Sequence, residues 1–529
     1  MQVHPPGGYA PVMDTRRLLR TTGTVLAATG LFISGCTTGS SSPTASASAP
    51  GAGAAATPDV PANLKPYYDQ KLRWRDCGVP GFQCATMKAP LDYEKPDAAE
   101  DVDLAVARKK ATGPGKRLGS LLVNPGGPGG SAIGYVQAYA GIGYPAPVRA
   151  QYDMVAIDPR GVARSEPVEC LDGKGMDAYT QVDQTPDDRA ETDRLVAAFK
   201  GFADGCATRS GEILQHVSTV DAAKDMDVLR AVLGDEKLAY VGASYGTFLG
   251  ATYAELFPSR VGRLVLDGAM DPALPAIELN RDQTAGFETA FHSFAKDCAA
   301  QPDCPLGDDG TADAGKKLKA FLEELDAGPV PTGESRDLGE SLATTGVIAA
   351  MYDESAWPQL REGLSRAMAG DGAGLLALAD SYYEREQDGS YSNLMYANAA
   401  VNCLDLPPAF TGPEAVAAAL PSFEKASPVF GKGLAWASLN CTYWPVKATG
   451  KPQRLEAKGA APIVVVGTTR DPATPYKWAE ALAGQLSSGA LLTYDGDGHT
   501  AYGRGSDCID RAINRYLLEG KAPADGTKC

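Results

Sequence analysis

Apolar residues along this chain fall in short unbroken runs that end in glycine-rich turns. Ser120-Leu121-Leu122-Val123 runs into Asn124-Pro125-Gly126-Gly127, and Met154-Val155-Ala156-Ile157 into Asp158-Pro159-Arg160-Gly161. Leu238-Ala239-Tyr240-Val241 ends at Gly242, Leu264-Val265-Leu266 at Asp267-Gly268, and Ile463-Val464-Val465-Val466 at Gly467. Leu491-Leu492 leads through Tyr494 to Asp495-Gly496. Runs apolar at every position suit strands buried on both faces, and they predict a mostly parallel sheet covered by helices. Residues 102–107 alternate instead, as an antiparallel strand does. Among the helices, one is well marked. Ser218 with Asp221 three residues on reads as its start, Ala222, Met226, Leu229 and Leu233 lay down one apolar stripe, and Gly234 closes it. The strand rhythm stops between residues 271 and 458, a stretch rich in Ala, Leu, Glu and Asp with helical patterns at 285–300, 315–325 and 357–368. The pattern predicts an α/β core over 65–270 and 459–529, interrupted by a mostly helical cap over 271–458.

The first residues do not belong to that core. Arg16, Arg17 and Arg20 precede an apolar stretch over 25–33, and small residues then lead into Cys36. A basic segment, a short apolar segment and small residues before a cut site make a secretory signal over 1–35, and the apolar run is too short to span a membrane. Small residues leading directly into a cysteine resemble a bacterial lipobox, so Cys36 is expected to carry lipid and to become the mature N-terminus. The twin arginines leave the export route open. Residues 36–64 are mostly Ser, Thr, Ala, Gly and Pro, a composition that buries no core and reads as a flexible linker.

Composition narrows the function. The chain has 529 residues, 44% hydrophobic and 22% charged, as in soluble globular proteins. A net charge of −16 without a Lys/Arg-rich run argues against nucleic acid as a partner. Of the 11 cysteines, those after Cys36 are Cys77, Cys84, Cys170, Cys206, Cys298, Cys304, Cys403, Cys441, Cys508 and Cys529. An even number in an exported chain implies disulfides. Sequence does not fix their pairing; the shortest loops join Cys77 to Cys84, Cys170 to Cys206, Cys298 to Cys304, Cys403 to Cys441 and Cys508 to Cys529. No cysteine or histidine spacing suggests a metal, and no cofactor is expected.

Gly242-Ala243-Ser244-Tyr245-Gly246 is a G-x-S-x-G. With 59 glycines in the chain such a motif arises easily by chance, so its setting has to carry it. It directly follows the strand at 238–241 and directly precedes a helical pattern at 248–257, the strand–turn–helix context of a nucleophile elbow. A serine hydroxyl needs a base, and His216, His292 and His499 are the available histidines. His499 stands after the last apolar strand, whereas His216 precedes a helix and His292 falls in a cap helix, so His499 is the expected base. Asp471 follows the 463–466 strand in Gly467-Thr468-Thr469-Arg470-Asp471-Pro472 and is the expected acid, which would fix the imidazole tautomer. Asp495 and Asp497 compete but stand so close to His499 in sequence that they suit its turn better. Thr474 suits a cap or a support of Asp471. For the oxyanion, one amide is that of Tyr245, just after the serine, and the other belongs to the Asn124–Ser131 loop, with Gly127 chosen.

Together these residues resemble the α/β-hydrolase family that holds proline iminopeptidases and the secreted tripeptidyl aminopeptidases of actinobacteria. The likeness runs over about 65–525 and rests on Asn-Pro-Gly-Gly-Pro-Gly-Gly-Ser at 124–131, Asp158-Pro159-Arg160-Gly161, Gly-Ala-Ser-Tyr-Gly, Leu266-Asp267-Gly268 and Asp471-Pro472-Ala473-Thr474-Pro475. Asn124 stands where proline iminopeptidases carry a histidine, which favours the tripeptidyl group. The resemblance implies a serine exopeptidase that releases short peptides from free N-termini. An aminopeptidase must also recognise the substrate ammonium, and Asp405, in Asn402-Cys403-Leu404-Asp405, is the cap carboxylate chosen for it. A monomer tethered to a membrane through Cys36, or secreted, is expected. Two other readings stay open: a surface esterase or lipase with the same triad, and a non-catalytic binding lipoprotein on the same scaffold.

Overall fold

The computed structural model describes residues 60–96 and 100–529; the expected signal, Cys36 and most of the linker lie outside the described residues. The strands are β1 (Arg75–Asp76), β2 (Phe82–Pro90), β3 (Asp101–Lys109), β4 (Gly119–Asn124), β5 (Tyr152–Ile157), β6 (Leu238–Ala243), β7 (Val261–Asp267), β8 (Ile463–Arg470), β9 (Gly489–Asp497) and β10 (Thr527–Lys528). They form one sheet in the order β1-β2-β3-β5-β4-β6-β7-β8-β9-β10. From β5 to β10 neighbours are parallel, and β1, β2 and β3 add an antiparallel edge.

The unbroken apolar runs are explained by two layers. Leu122, Val155, Leu264, Leu266, Ile463 and Val465 pack into one with the helix Thr219–Val232 and the cap. Their alternate neighbours Leu121, Val123, Met154, Val265, Val464 and Val466 pack into the other with Ile509, Ile513 and Leu517 of the C-terminal helix Asp507–Glu519. A side chain on either face therefore meets a helix, which favours apolar residues at successive positions. β3 alternates exposed and buried residues at its outer end, as its sequence pattern predicts.

Three strands escape the pattern, β1 because it is Arg75-Asp76 alone. β2 alternates exposed Thr86 and Lys88 with buried Ala85, Met87 and Ala89 and so offers no unbroken apolar run. β10 has no apolar residue; Cys529, just beyond it, donates its amide to Thr493 and is bonded to Cys508. All five shortest-loop cysteine pairs are formed.

The helix Thr219–Val232 starts as expected, with the Ser218 side chain accepting from the Asp221 amide. The single apolar stripe is an underestimate, because Asp225, Asp227 and Arg230 are buried as well. Asp225 receives Arg160 through Nε and Nη2, each at 2.7 Å, and the Tyr93 hydroxyl at 2.7 Å. Asp227 receives Arg230 Nε at 2.8 Å, Tyr68 at 2.7 Å, Tyr253 at 3.1 Å and the Arg260 guanidinium. Charged residues that look like a solvated face are thus covered by the 158–161 turn and the first described helix. Asp225→Ala leaves the Arg160 guanidinium buried without its carboxylate; a loss of about 3–5 kcal/mol is expected, read as a lower Tm and denaturant midpoint.

Between β7 and β8 the chain forms helices, among them Ala276–Ala299, Thr311–Ala327, Glu340–Met351, Trp357–Met368, Ala373–Tyr383 and Leu394–Asp405. The pattern at 357–368 coincides with its helix. The one at 285–300 starts earlier, because Pro275 initiates a first turn that lacks the apolar period. Parallel register aligns the carboxyl ends of the central strands: Asn124 pairs with Gly242, Ala243 with Asp267, and Asp267 with Val466. Loops leaving this edge therefore converge.

Candidate active site

Ser244 follows β6 directly and precedes the helix Tyr245–Leu256, with φ 56° and ψ −126°, a backbone region that residues with a Cβ rarely occupy. Close packing accounts for the glycines around it. A Cβ on Gly242 would collide with the Gly246 carbonyl, and one on Gly246 would stand 2.8 Å from the Asn124 carbonyl. The turn is held from outside, as the Ser244 amide donates to the Asp267 carbonyl at 2.9 Å and its own carbonyl receives the Thr247 amide and hydroxyl at 2.8 and 2.6 Å.

His499 follows β9. Its Nδ1 lies 2.8 and 2.9 Å from the two oxygens of Asp471. Asp471 is buried and also accepts the amides of Ala473, Thr474 and Thr500 at 2.9, 2.8 and 3.2 Å. That donor shell fixes the carboxylate and aims it at Nδ1. The Thr474 hydroxyl lies 3.4 Å from Nδ1, and its amide caps the Asp471 turn. The opposite nitrogen, Nε2, is buried with no hydrogen-bond partner among the described residues. The ring lies over the backbone beside Ser244, with Cε1 3.2 Å from the Cβ position of Gly268, one residue beyond the carbonyl that holds the Ser244 amide. Three segments far apart in sequence therefore meet at one sheet edge.

The competing groups are engaged elsewhere. Asp495 accepts from Arg470 and Thr469 at 2.8 and 2.9 Å, and Asp497 pairs with Arg470 at 2.9 Å. His292 faces Glu288 on its own cap helix at 3.2 Å. The His216 carbonyl receives Arg160 at 3.1 Å.

In the Asn124–Ser131 loop, Asn124 Oδ1 takes the Gly126 amide at 2.9 Å. Neither the Gly127 amide nor that of Tyr245 is taken by another group among the described residues. The Cβ position of Gly126 is 2.9 Å from both Ser244 Cβ and Tyr245 N, so this loop sits directly on the elbow. With φ of 93° and 114°, Gly126 and Gly127 hold a backbone that side chains disfavour. Asp158, buried behind the loop, fixes its far end through Ser131 Oγ at 2.8 Å and the Ile133 amide at 2.9 Å.

Asp405 does not join this group. It is buried, with the Thr219 amide on Oδ1 at 2.9 Å and the Thr219 hydroxyl on Oδ2 at 2.5 Å. The expectation of an open carboxylate for a substrate ammonium is corrected: the Cys403–Cys441 bond makes this helix end rigid, and its last side chain turns into the protein.

Other residues hold the site although the sequence assigned them no role in it. Asp267 accepts the amides of Ala501 and Tyr502 at 3.0 and 2.9 Å and so ties the histidine loop to β7. Tyr352 of the cap accepts the His499 amide at 2.9 Å and presents its ring edge-on to the imidazole, centroids 5.5 Å apart. Arg504 bridges the two, reaching the His499 carbonyl, the Tyr352 carbonyl at 3.3 Å and Asp353 at 3.1 Å. The one acidic cluster whose oxygens converge within 4.8 Å among the described residues, Asp183, Asp326 and Glu340, contains none of these groups.

A serine on a strained strand–helix turn at the carboxyl edge of a mostly parallel sheet, with a histidine–aspartate pair from later loops packed against the neighbouring strand end at Gly268, defines a serine hydrolase of the α/β-hydrolase fold. Residues 427–529 match the family model described as TAP-like protein. The chain is 39% identical over 492 residues to the serine protease Hip1 of Mycobacterium tuberculosis, spanning 88% of this chain and 92% of that protein. It is 38% identical over 454 residues to a carboxylesterase B of the same organism, spanning 84% and 86%. It is 33% identical over 484 residues to the tripeptidyl aminopeptidase of Streptomyces lividans, spanning 87% and 86%. The chain belongs to the tripeptidyl aminopeptidase-like family of α/β-hydrolases, and it is a serine hydrolase.

Proposed function

We propose that the protein is an exported exopeptidase that removes short peptides, most simply tripeptides, from free N-termini. Ser244 Oγ attacks the scissile carbonyl carbon while His499 Nε2 takes its proton. Asp471, on Nδ1, holds the tautomer and stabilises the imidazolium. The amides of Gly127 and Tyr245 receive the oxyanion. The departing amine takes the proton from Nε2; water, deprotonated by the same nitrogen, then attacks the Ser244 ester, the N-terminal peptide leaves as a free acid, and Nε2 returns the proton to Ser244 Oγ. The observation that carries this reading is the unpartnered Nε2 beside the elbow, opposite an Nδ1 already committed to Asp471. The step from hydrolase to tripeptide release rests on likeness to the Streptomyces enzyme.

Peptides with free and acetylated N-termini, followed by mass spectrometry of the products, test chemistry, direction and step length together. Three-residue products are expected, and acetylation is expected to lower kcat/KM by about 10–100-fold, the weight of a lost charged hydrogen bond. The second reading, an esterase, is favoured by the carboxylesterase B relative. Rapid cleavage of short acyl esters, with indifference to peptide acetylation, would establish it in place of the first. Export is supported by the five disulfides, which persist in oxidising compartments. Among the described residues no helix is long and apolar enough to cross a membrane. Attachment through lipid at Cys36, with the chain acting as a monomer, completes the proposal.

A further inference from the structure

The cap helix Leu394–Asp405 touches both limbs of the proposed oxyanion hole. At its first turns, Asn398 Nδ2 donates to the Pro128 carbonyl at 3.1 Å, and a Cβ on Gly129 would collide with the Leu394 carbonyl and the Asn398 amide. The Gly127 loop is thus wedged against this helix. At its last residue, Asp405 Oδ2 receives the Thr219 hydroxyl, whose oxygen is in turn 2.5 Å from the Tyr245 hydroxyl. Tyr245, Thr219 and Asp405 are all buried, and Tyr245 carries the other oxyanion amide.

Proton counting gives this chain a direction. Thr219 Oγ1 has one hydrogen and two close oxygen neighbours, so with Asp405 ionised the order is Tyr245 O–H to Thr219 Oγ1, then Thr219 O–H to Asp405 Oδ2. Burial pushes the Tyr245 phenol well up, so it remains the donor. A proton on Oδ2 would reverse the Thr219 hydroxyl and strand the buried Tyr245 hydrogen, while one on Oδ1 would oppose the Thr219 amide. Only the carboxylate satisfies every donor. The site also lies at the N-terminus of the helix Thr219–Val232, where a negative charge is favoured.

We propose that Asp405 is a positioning residue that acts through Thr219 on Tyr245, so that the seating of one cap helix sets both amides of the oxyanion hole. The idea rests on the Ser244 reading above. Burial pushes the Asp405 carboxyl up to about 7, with Asp221 adding to the rise and the two Thr219 bonds opposing it. The titratable groups facing it are Asp221 and the Tyr245 phenol; the segment packed on its backbone brings Thr449 and Gly450. As pH falls through about 7 the carboxylate fills with protons, the chain loses its acceptor and turnover declines.

The test compares wild type with Asp405→Asn, Tyr245→Phe and the double variant. Complete loss of an oxyanion donor costs about 10²–10³ in kcat, so misplacement is expected to cost about tenfold, with little change in KM. Tyr245→Phe keeps the ring and the Asp405–Thr219 bonds and serves if Asp405→Asn folds poorly. The double variant is expected to match the slower single. The wild-type to Asp405→Asn ratio of kcat is expected to be largest above pH 8 and to close below pH 6, a comparison in which the titration of His499 is common to both. Wild-type kcat in folded Tyr245→Phe, additive losses in the double variant, or a ratio independent of pH would each overturn the proposal. A failure of the underlying reading looks different, because Ser244→Ala would then remain active.

Discussion

Replacing Ser244 by alanine is expected to lower kcat by about 10⁵-fold or more, with the fold and Tm nearly unchanged. Ser244 supplies the hydroxyl at the strained point of the turn above the Gly126 loop, and the loss of that oxygen removes the covalent route altogether. Active-site phosphonate labelling is the direct measurement: wild type takes up one equivalent and Ser244→Ala takes up none. Labelling that survives the substitution would move the nucleophile elsewhere and dissolve the peptidase and esterase readings together.

Asp471→Asn is expected to cost about 10⁴-fold in kcat. The amide preserves the shape of the group, but its NH₂ cannot accept from Nδ1–H, so the imidazole is free to take the wrong tautomer and the cation formed during turnover loses its counter-charge. Asp495→Asn and Asp497→Asn provide the contrast. Both acids pair with Arg470 and not with the histidine, so kcat should stay near wild type. A large loss in either of these, with Asp471→Asn active, would reassign the acid.

The features that were legible in sequence are those written locally. An elbow needs a strand, two small neighbours and a helix in immediate succession, and all of them lie within 238–257. His499 and Asp471 were identifiable because each follows an apolar run, and parallel register then carries both to the same edge. The disulfides obeyed the shortest-loop order because each closes within neighbouring elements. What escaped depends on approach across the molecule. Asp225 and Arg230 look solvated until the 158–161 turn and the Tyr253 helix cover them. Asp267 reads as the end of a strand, and only the folded chain shows two amides of the histidine loop upon it. Tyr352 lies just past an ordinary helix, and nothing near it in sequence announces that its carbonyl will hold His499. Asp405 was misread because a rigid helix end says nothing about the direction its last side chain takes.

The long insertion between β7 and β8 has a consequence for biosynthesis. The serine emerges from the ribosome in the first half of the chain, whereas its acid and base are encoded in the final stretch, after the whole cap. A polypeptide still being translated carries the Ser244 hydroxyl before His499 and Asp471 exist to stand beside it. The hydroxyl and the His499–Asp471 pair can therefore meet only after the whole cap has been made.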